Sequence, residues 1–313
     1  MKQALVFDIG GTKIAAAIVR STGDIVTTFK TSTHSELGPE VLIHELIQIG
    51  KELTKRLSID AIGISSAGPL DPIKGHLINP TNLKTDGKKN WGLVDLVTPI
   101  KDVFQKPTLL ENDAAAAAIG EFWMGGLGST QSILSLTLGT GVGVGAIVEG
   151  KLQRCRQGFH PEVSHIPIHA FEKLAPCGCG NLGCIEAFLS GVNFPRYYAL
   201  KTGKQPFSGK EFLENAIQKD DYALNGFTHY SELMALAINS LAIIYSPEVI
   251  VFSGSFSEAF PFFADNTKLH LEHLLKQRRK SVDFLPTLKL SKIKDHAGLL
   301  GVARMAFHLP QRY

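Results

Sequence analysis

Residues 177 to 186 read CGCGNLGCIE, and three of the chain's four cysteines stand within that stretch. At CxCxxxxC spacing the thiolates of Cys177, Cys179 and Cys184 can converge on one tetrahedral ion, with Gly178, Gly180 and Gly183 allowing the tight turns this requires. A fourth donor is needed. The upstream stretch GFHPEVSHIPIH (158 to 169) offers His160, His165 and His169, and the remaining thiol is Cys155. A Cys₃His set is a closed structural zinc site without an open position for water, so the ion organises a loop rather than doing chemistry. Glu186, two residues past the last cysteine, is then carried on a metal-stapled loop.

A second chemical candidate is Asp113. Asn112 and Asp113 end the apolar strand TLLE and precede five alanines, so the acid stands at the start of a helix. An aspartate there is commonly a cap. The alternative is a general base whose anionic form the helix dipole favours and which accepts a proton from a substrate hydroxyl. The alanine run requires that something packs closely against this helix.

Two glycine tracts complete the set. GGTK (10 to 13) lacks the GxxxxGK[ST] spacing of a P-loop, and the strand-like IAAAIV follows where a P-loop starts a helix. GTGVGVG (139 to 145) misses the dinucleotide pattern GxGxxG, because Val144 and Ala146 stand where the third glycine belongs. What remains is a pair of tight turns whose backbone N–H groups can approach an anion, with Thr12 and Thr140 adding hydroxyls. Two such turns can hold a polyphosphate between them; taken singly, each is also an ordinary hairpin turn. Asp8, just before the first tract, is where a carboxylate could hold Mg²⁺ beside phosphates, or simply initiate a turn.

The elements that position these residues alternate. ALVFD, IGG and TKIAAAIV read as strand, glycine turn, strand, and SILSLTL, GTGVGVG and AIVEG repeat the plan from residue 132. PEVLIHELIQIGKELTKRL (39 to 57) has helical apolar spacing, and AIGISSAGPL is a buried strand running into a loop. The helix from Asp113 is expected to stop at Gly125 and Gly126, and ELMALAINSLAIIY is a helix ended by Pro247. EVIVFSGS is a strand entering a glycine turn. An α/β class follows, and 313 residues with 44% hydrophobic content exceed what one core usually fills, so two domains meeting along a cleft are expected.

The net charge of +3 is mild and spread out, which gives no footprint for nucleic acid. The densest basic run, KQRRK at 276 to 280, reads as a solvated helix face. The N-terminus has too short an apolar run for a signal peptide, and no stretch reaches the length of a membrane span. A cytoplasmic protein is expected, a reducing setting in which clustered cysteines serve as metal ligands or redox groups rather than as a disulfide framework.

DIGGTK at 8 to 13, END at 111 to 113, LGTGVGVG at 138 to 145, ExxH at 162 to 165 and CGCGNLGCIE at 177 to 186 resemble, in that order and at similar separations, the motifs of the ROK family of sugar kinases. The resemblance covers nearly the whole chain. It implies a two-domain actin-like, hexokinase-like (ribonuclease H-like) α/β ATPase fold with an interdomain cleft. The N-terminal α/β domain is expected over 1–117, completed by a C-terminal helix at 297–313. A larger C-terminal α/β domain with the zinc loop is expected over 118–296.

The resemblance further implies ATP-dependent phosphorylation of a hexose hydroxyl, first of all glucose to glucose 6-phosphate, with Asp113 as general base. Asn112, Glu162, His165 and Glu186 would grip the other hydroxyls, with Gly68 and Asn82 also in the substrate site. His165 matches the family histidine that joins Cys177, Cys179 and Cys184 on zinc. Asp8, Gly10, Gly11, Thr12, Lys13, Gly139, Thr140 and Gly141 would line the phosphate path, and Gly254 would lie near the adenosine. The implied cofactors are ATP, Mg²⁺ and structural Zn²⁺. The implied partners are a small-molecule sugar and ATP, with no nucleic acid and no membrane, in a cytoplasmic homodimer or homotetramer.

Three positions depart from the family pattern: Ser164 where ExGH has glycine, Val144 in the second tract, and Ser253 where a glycine usually precedes Gly254. They bear on affinity and specificity more than on class. Other acceptors within the family are N-acetylmannosamine, N-acetylglucosamine and fructose, and the loops 66 to 82 and 193 to 230 carry no readable code for the choice. From other classes, a non-catalytic sugar sensor would need neither Asp113 nor two phosphate turns. A family repressor would carry a DNA-binding head ahead of a fold that here begins at residue 4. Polyphosphate-dependent relatives generally lack the zinc cysteines, which favours ATP as donor.

Overall fold

The computed structural model describes residues 1–86, 89–278 and 284–309, and the chain divides into two units. Unit 1 comprises Met1–Leu127, Leu152–Pro161 and the segment from Asp295 onward, and unit 2 comprises Gly128–Lys151 and Glu162–Lys294.

In unit 1, β1 (Gln3–Ile9), β2 (Lys13–Arg20) and β3 (Ile25–Ser32) are followed by α1 (Pro39–Thr54) and β4 (Ala61–Ser66). After short strand pairings between Leu70 and Asp95 come α2 (Val97–Phe104), β5 (Thr108–Asn112) and α3 (Asp113–Met124). The sheet order is β5, β4, β1, β2, β3, with β1, β4 and β5 parallel and β1, β2 and β3 antiparallel. β1 and β4 are almost continuously apolar because helices cover both faces, α1 on one and the C-terminal helix Ala297–Ala306 on the other. The edge strand β3 instead exposes Thr28, Phe29 and Lys30. Register pairs Asp8 with Ser65 and Ser66 with Asn112, so the carboxyl ends of β1, β4 and β5 emerge together. Open α/β sheets bind their ligands at that end.

The partner that the alanine run of α3 demands is the C-terminal helix. A Cβ on Gly301 would lie 1.7 Å from the Ala116 carbonyl oxygen, and one on Gly120 would lie 2.1 Å from the Ala297 carbonyl oxygen. The two helices touch backbone to backbone, and no side chain fits at either crossing. Gly301→Ala is therefore expected to force them apart and to cost about 2 to 3 kcal/mol, read as a lower urea midpoint. The same packing draws the whole of α3 into unit 1, past the break expected after residue 117.

Unit 2 repeats the plan. β6 (Ile133–Leu138) and β7 (Val142–Val148) pair antiparallel around a glycine turn, and β8 (Lys151–Leu152) adds to the edge. α4 (Ile185–Leu189), α5 (Asn193–Thr202), α6 (Gly209–Ile217) and α7 (Asp221–Tyr245) follow. β9 (Val249–Ser253), α8 (Phe260–Leu275) and β10 (Thr287–Leu290) complete the unit, with sheet order β8, β7, β6, β9, β10. Asp220 caps α7 through its bond from the Ala223 N–H, and the helix ends at Tyr245, with Ser246 as its C-cap just ahead of Pro247 as expected. The core is aromatic: Phe188, Phe194, Phe212, Phe227, Tyr230, Phe252 and Phe263 are fully buried. Of the basic run after α8, Lys276 to Arg278 are exposed, and residues 279 and 280 lie outside the described residues, as do 310 to 313 of the expected C-terminal helix. No helix among the described residues is long and apolar enough to cross a membrane.

Candidate active site

At the carboxyl end of the unit 1 sheet, Asp8 accepts a hydrogen bond from Ser65 Oγ at 2.7 Å. The Asp8 carboxyl is raised to about 6, above all by burial, with the Ser65 bond opposing the rise and the negative charges of Asp113 and Asp295 adding to it. An unfolded aspartate titrates near 3.9, so the ionised Asp8 costs the folded state stability at neutral pH. That cost disappears as pH falls from about 6 toward 4, where the folded carboxyl is protonated. Asp8→Asn is accordingly expected to raise the Tm at pH 7.5 and to leave it nearly unchanged at pH 4. A cation beside the carboxylate would offset the same cost.

Directly after Asp8, the turn at Gly10 closes through the Gly10 N–H to the Lys13 carbonyl at 2.9 Å, leaving Thr12 and Lys13 exposed. Asn82 stands against this turn, since a Cβ on Gly11 would lie 3.1 Å from both its carbonyl oxygen and its Cβ. Gly68 lies in the bend after β4, at the same end of the sheet.

The cap of α3 is Asn112, not Asp113. Asn112 Oδ1 accepts the N–H groups of Ala114 and Ala115 at 2.9 and 3.2 Å, which leaves its Nδ2 to donate elsewhere. Asp113 is the first helical residue, with Oδ1 on the Ala114 N–H at 2.8 Å and its side chain exposed. Desolvation by the surrounding chain raises its carboxyl above the ordinary aspartate value, and the Ala114 N–H opposes the rise.

One partnership escaped the sequence reading. Glu111 is fully buried, and Arg154 clamps it, with Nη1 on Oε1 at 3.2 Å and Nη2 on Oε2. Arg154 Nη1 also donates to the Gly158 carbonyl at 2.9 Å, and the Asn112 N–H donates to Glu111 Oε1 at 3.0 Å. The pair thus ties the segment 152–161 to the strand end that presents Asn112 and Asp113. The available signal was the carboxylate itself, since a buried acid needs a cation, hydrogen bonds or a proton.

In unit 2 the glycine turn Gly139–Gly141 joins β6 to β7, with Thr140 exposed at its tip. Gly254 follows β9 beside it, and the Leu138 carbonyl oxygen occupies the space a Cβ there would need. Two of the three departures from the family pattern concern this region. Val144 is buried within β7 rather than in the turn, and Ser253, also buried, lies with Oγ 3.2 Å from Thr137 Oγ1.

The cysteine loop folds back on the histidine segment. The Ile168 N–H donates to the Gly183 carbonyl and the Ile185 N–H to the Ile166 carbonyl, at 2.8 and 3.0 Å, which sets His165 against Cys184 and its neighbours. Donor atoms of His165, Cys177, Cys179 and Cys184 all lie within 4.8 Å of one another; His160, His169 and Cys155 are not in this group. Cys177 Sγ is 3.4 Å from His165 Nδ1, and Cys179 Sγ is 3.7 Å from Cys184 Sγ. Burial and then the neighbouring thiols push Cys184 up to about 12. Glu162 heads the turn Val163–His165, and Ser164, the third departure, is buried within it.

The sequence profile of the ROK family matches residues 4–308. The glucokinase of Halalkalibacterium halodurans is 28% identical, with 94% of this chain and 92% of that protein covered. Among solved structures, a ROK hexokinase from Thermus thermophilus superposes with a TM-score of 0.84 at 25% identity, covering 99% of this chain and 100% of that one. A ROK family glucokinase from Streptomyces griseus, in complex with glucose and AMPPNP, gives 0.77 at 28% identity, covering 98% and 99%. The two α/β units are those of the two-domain actin-like, hexokinase-like fold expected from the sequence.

Proposed function

The chain belongs to the ROK family, and on that premise we propose that it is an ATP-dependent sugar kinase whose acceptor is glucose. The observation that carries the reading is at residue 113: Asn112 fills the cap, so the Asp113 carboxylate is left for chemistry beside Asp8. The similarity to a glucokinase that binds glucose and AMPPNP supports the choice of sugar and donor.

In this reading Asp113 takes the proton of the sugar hydroxyl as its oxygen attacks the γ-phosphorus, and the bond to the leaving ADP breaks in line. Asn112 Nδ2, Glu162, His165 and Glu186 hold other hydroxyls, with Gly68 and Asn82 beside them. The turns Gly10–Lys13 and Gly139–Gly141 offer N–H groups to the phosphates, and Gly254 leaves room for the nucleoside. Asp8 is the carboxylate that would hold Mg²⁺, whose charge would offset the cost of ionising Asp8 and neutralise the phosphates.

His165, Cys177, Cys179 and Cys184 would hold zinc. A tetrahedral ion with Zn–S near 2.3 Å and Zn–N near 2.0 Å sets sulfurs about 3.8 Å apart and sulfur about 3.5 Å from nitrogen. The distances of 3.7 and 3.4 Å fit it. One zinc per chain is expected by metal analysis, lost together with sugar affinity in Cys179→Ser. Full sugar affinity in zinc-free protein would refute the staple.

The test of the reading is ADP release from MgATP with glucose, mannose, fructose, N-acetylglucosamine or N-acetylmannosamine, beside a blank without sugar. Release that depends on glucose supports it, and release with another sugar only reassigns the acceptor. Silence across the panel in zinc-replete protein overturns the kinase in favour of a sugar sensor.

A further inference from the structure

The carboxylate of Glu186 does not stand free in unit 2. Its Oε2 accepts the Val142 N–H at 3.1 Å, at the exit of the second glycine turn. Gly141 makes room for it: a Cβ on Gly141 would lie 2.5 Å from that same oxygen. The entry of the turn is held as well, since the Gly191 N–H donates to the Gly139 carbonyl at 2.8 Å. Glu186 and Gly191 lie on and just past α4, the helix that starts at the residue after Cys184. Asn193 Nδ2 on the Glu186 carbonyl at 3.3 Å braces the helix from below.

From this geometry we infer that Glu186 is a positioning residue for nucleotide: it fixes the turn Gly139–Val142 in the shape that receives the phosphates, independently of any sugar. The inference rests on the kinase reading and adds a role to a residue otherwise assigned to the sugar side. A turn with several glycines has many accessible conformations, and ordering it costs free energy at the moment of binding. A charged acceptor on one end and an N–H donor on the other remove that freedom in advance. Claiming the Val142 N–H also leaves the N–H groups of Thr140 and Gly141 as those that meet the anion.

The experiment is equilibrium binding of Mg·AMPPNP without sugar, by calorimetry, together with amide hydrogen exchange over residues 139 to 142. Glu186→Ala is expected to weaken nucleotide about tenfold, the scale of a hydrogen bond to a charged group, and to speed exchange at Val142. Glu186→Gln keeps an oxygen that can accept the Val142 N–H, and should restore most of the nucleotide affinity while leaving sugar affinity impaired. Gly141→Ala, which pushes a methyl group onto Glu186 Oε2, should weaken nucleotide in the same way and serves if Glu186→Ala does not fold. Wild-type nucleotide affinity in Glu186→Ala or Gly141→Ala overturns the inference while leaving the kinase reading intact. Absence of nucleotide binding in the wild type overturns the kinase reading and this inference with it.

Discussion

Replacing Asp113 with asparagine is expected to lower kcat at least about 10²-fold while glucose and MgATP still bind. The substitution keeps the size of the side chain and the oxygen that accepts the Ala114 N–H. It also leaves the helix start untouched, because the cap belongs to Asn112. What it removes is the carboxylate proposed as the base. A role in capping or sugar binding predicts a different pattern, with a lower Tm or a higher KM and little change in kcat. Unchanged turnover in Asp113→Asn would sink the assignment of the base.

Arg154→Met is expected to be the most destabilising of the substitutions considered, by about 3 to 5 kcal/mol, because it strands the fully buried Glu111 without its cation. Pairing it with Glu111→Gln should recover most of the loss, since the stranded charge at residue 111 is then gone. Arg154→Lys should fall between, for a lysine cannot bond both carboxylate oxygens and the Gly158 carbonyl in one plane. Urea unfolding of the three variants checks the order. Equal stability of Arg154→Met and wild type would show that the clamp contributes nothing.

Much of the fold is legible in local pattern. The glycine turns between apolar runs mark both hairpins, and the helix ending at Pro247 and the close packing on the alanine run follow from residue types alone. What is not legible is non-local. Nothing in KLQRCRQG marks Arg154 as the partner of a carboxylate on a strand far upstream, so the membership of 152–161 in unit 1 is invisible without the fold. The choice among His160, His165 and His169 is likewise open on spacing. In the fold, His165 is the one of the three whose ring lies with the three sulfurs among the described residues, an arrangement that depends on residues 166 and 168 bonding to residues 185 and 183. At 112 and 113 two residues with cap chemistry stand side by side, and only backbone geometry shows which one caps.

The close crossing of α3 and the helix Ala297–Ala306 also orders events at the ribosome. β1 through α3 are synthesised first, then unit 2 with the unit 1 segment 152–161 between its two parts, and only afterwards the helix whose glycine lets α3 be covered. Domains generally fold as units while they emerge. Unit 2 can therefore form on a nascent chain whose first unit is still unfinished, with the alanine face waiting uncovered. A chain released before residue 297 would carry that open face, a substrate for chaperones rather than a smaller working enzyme.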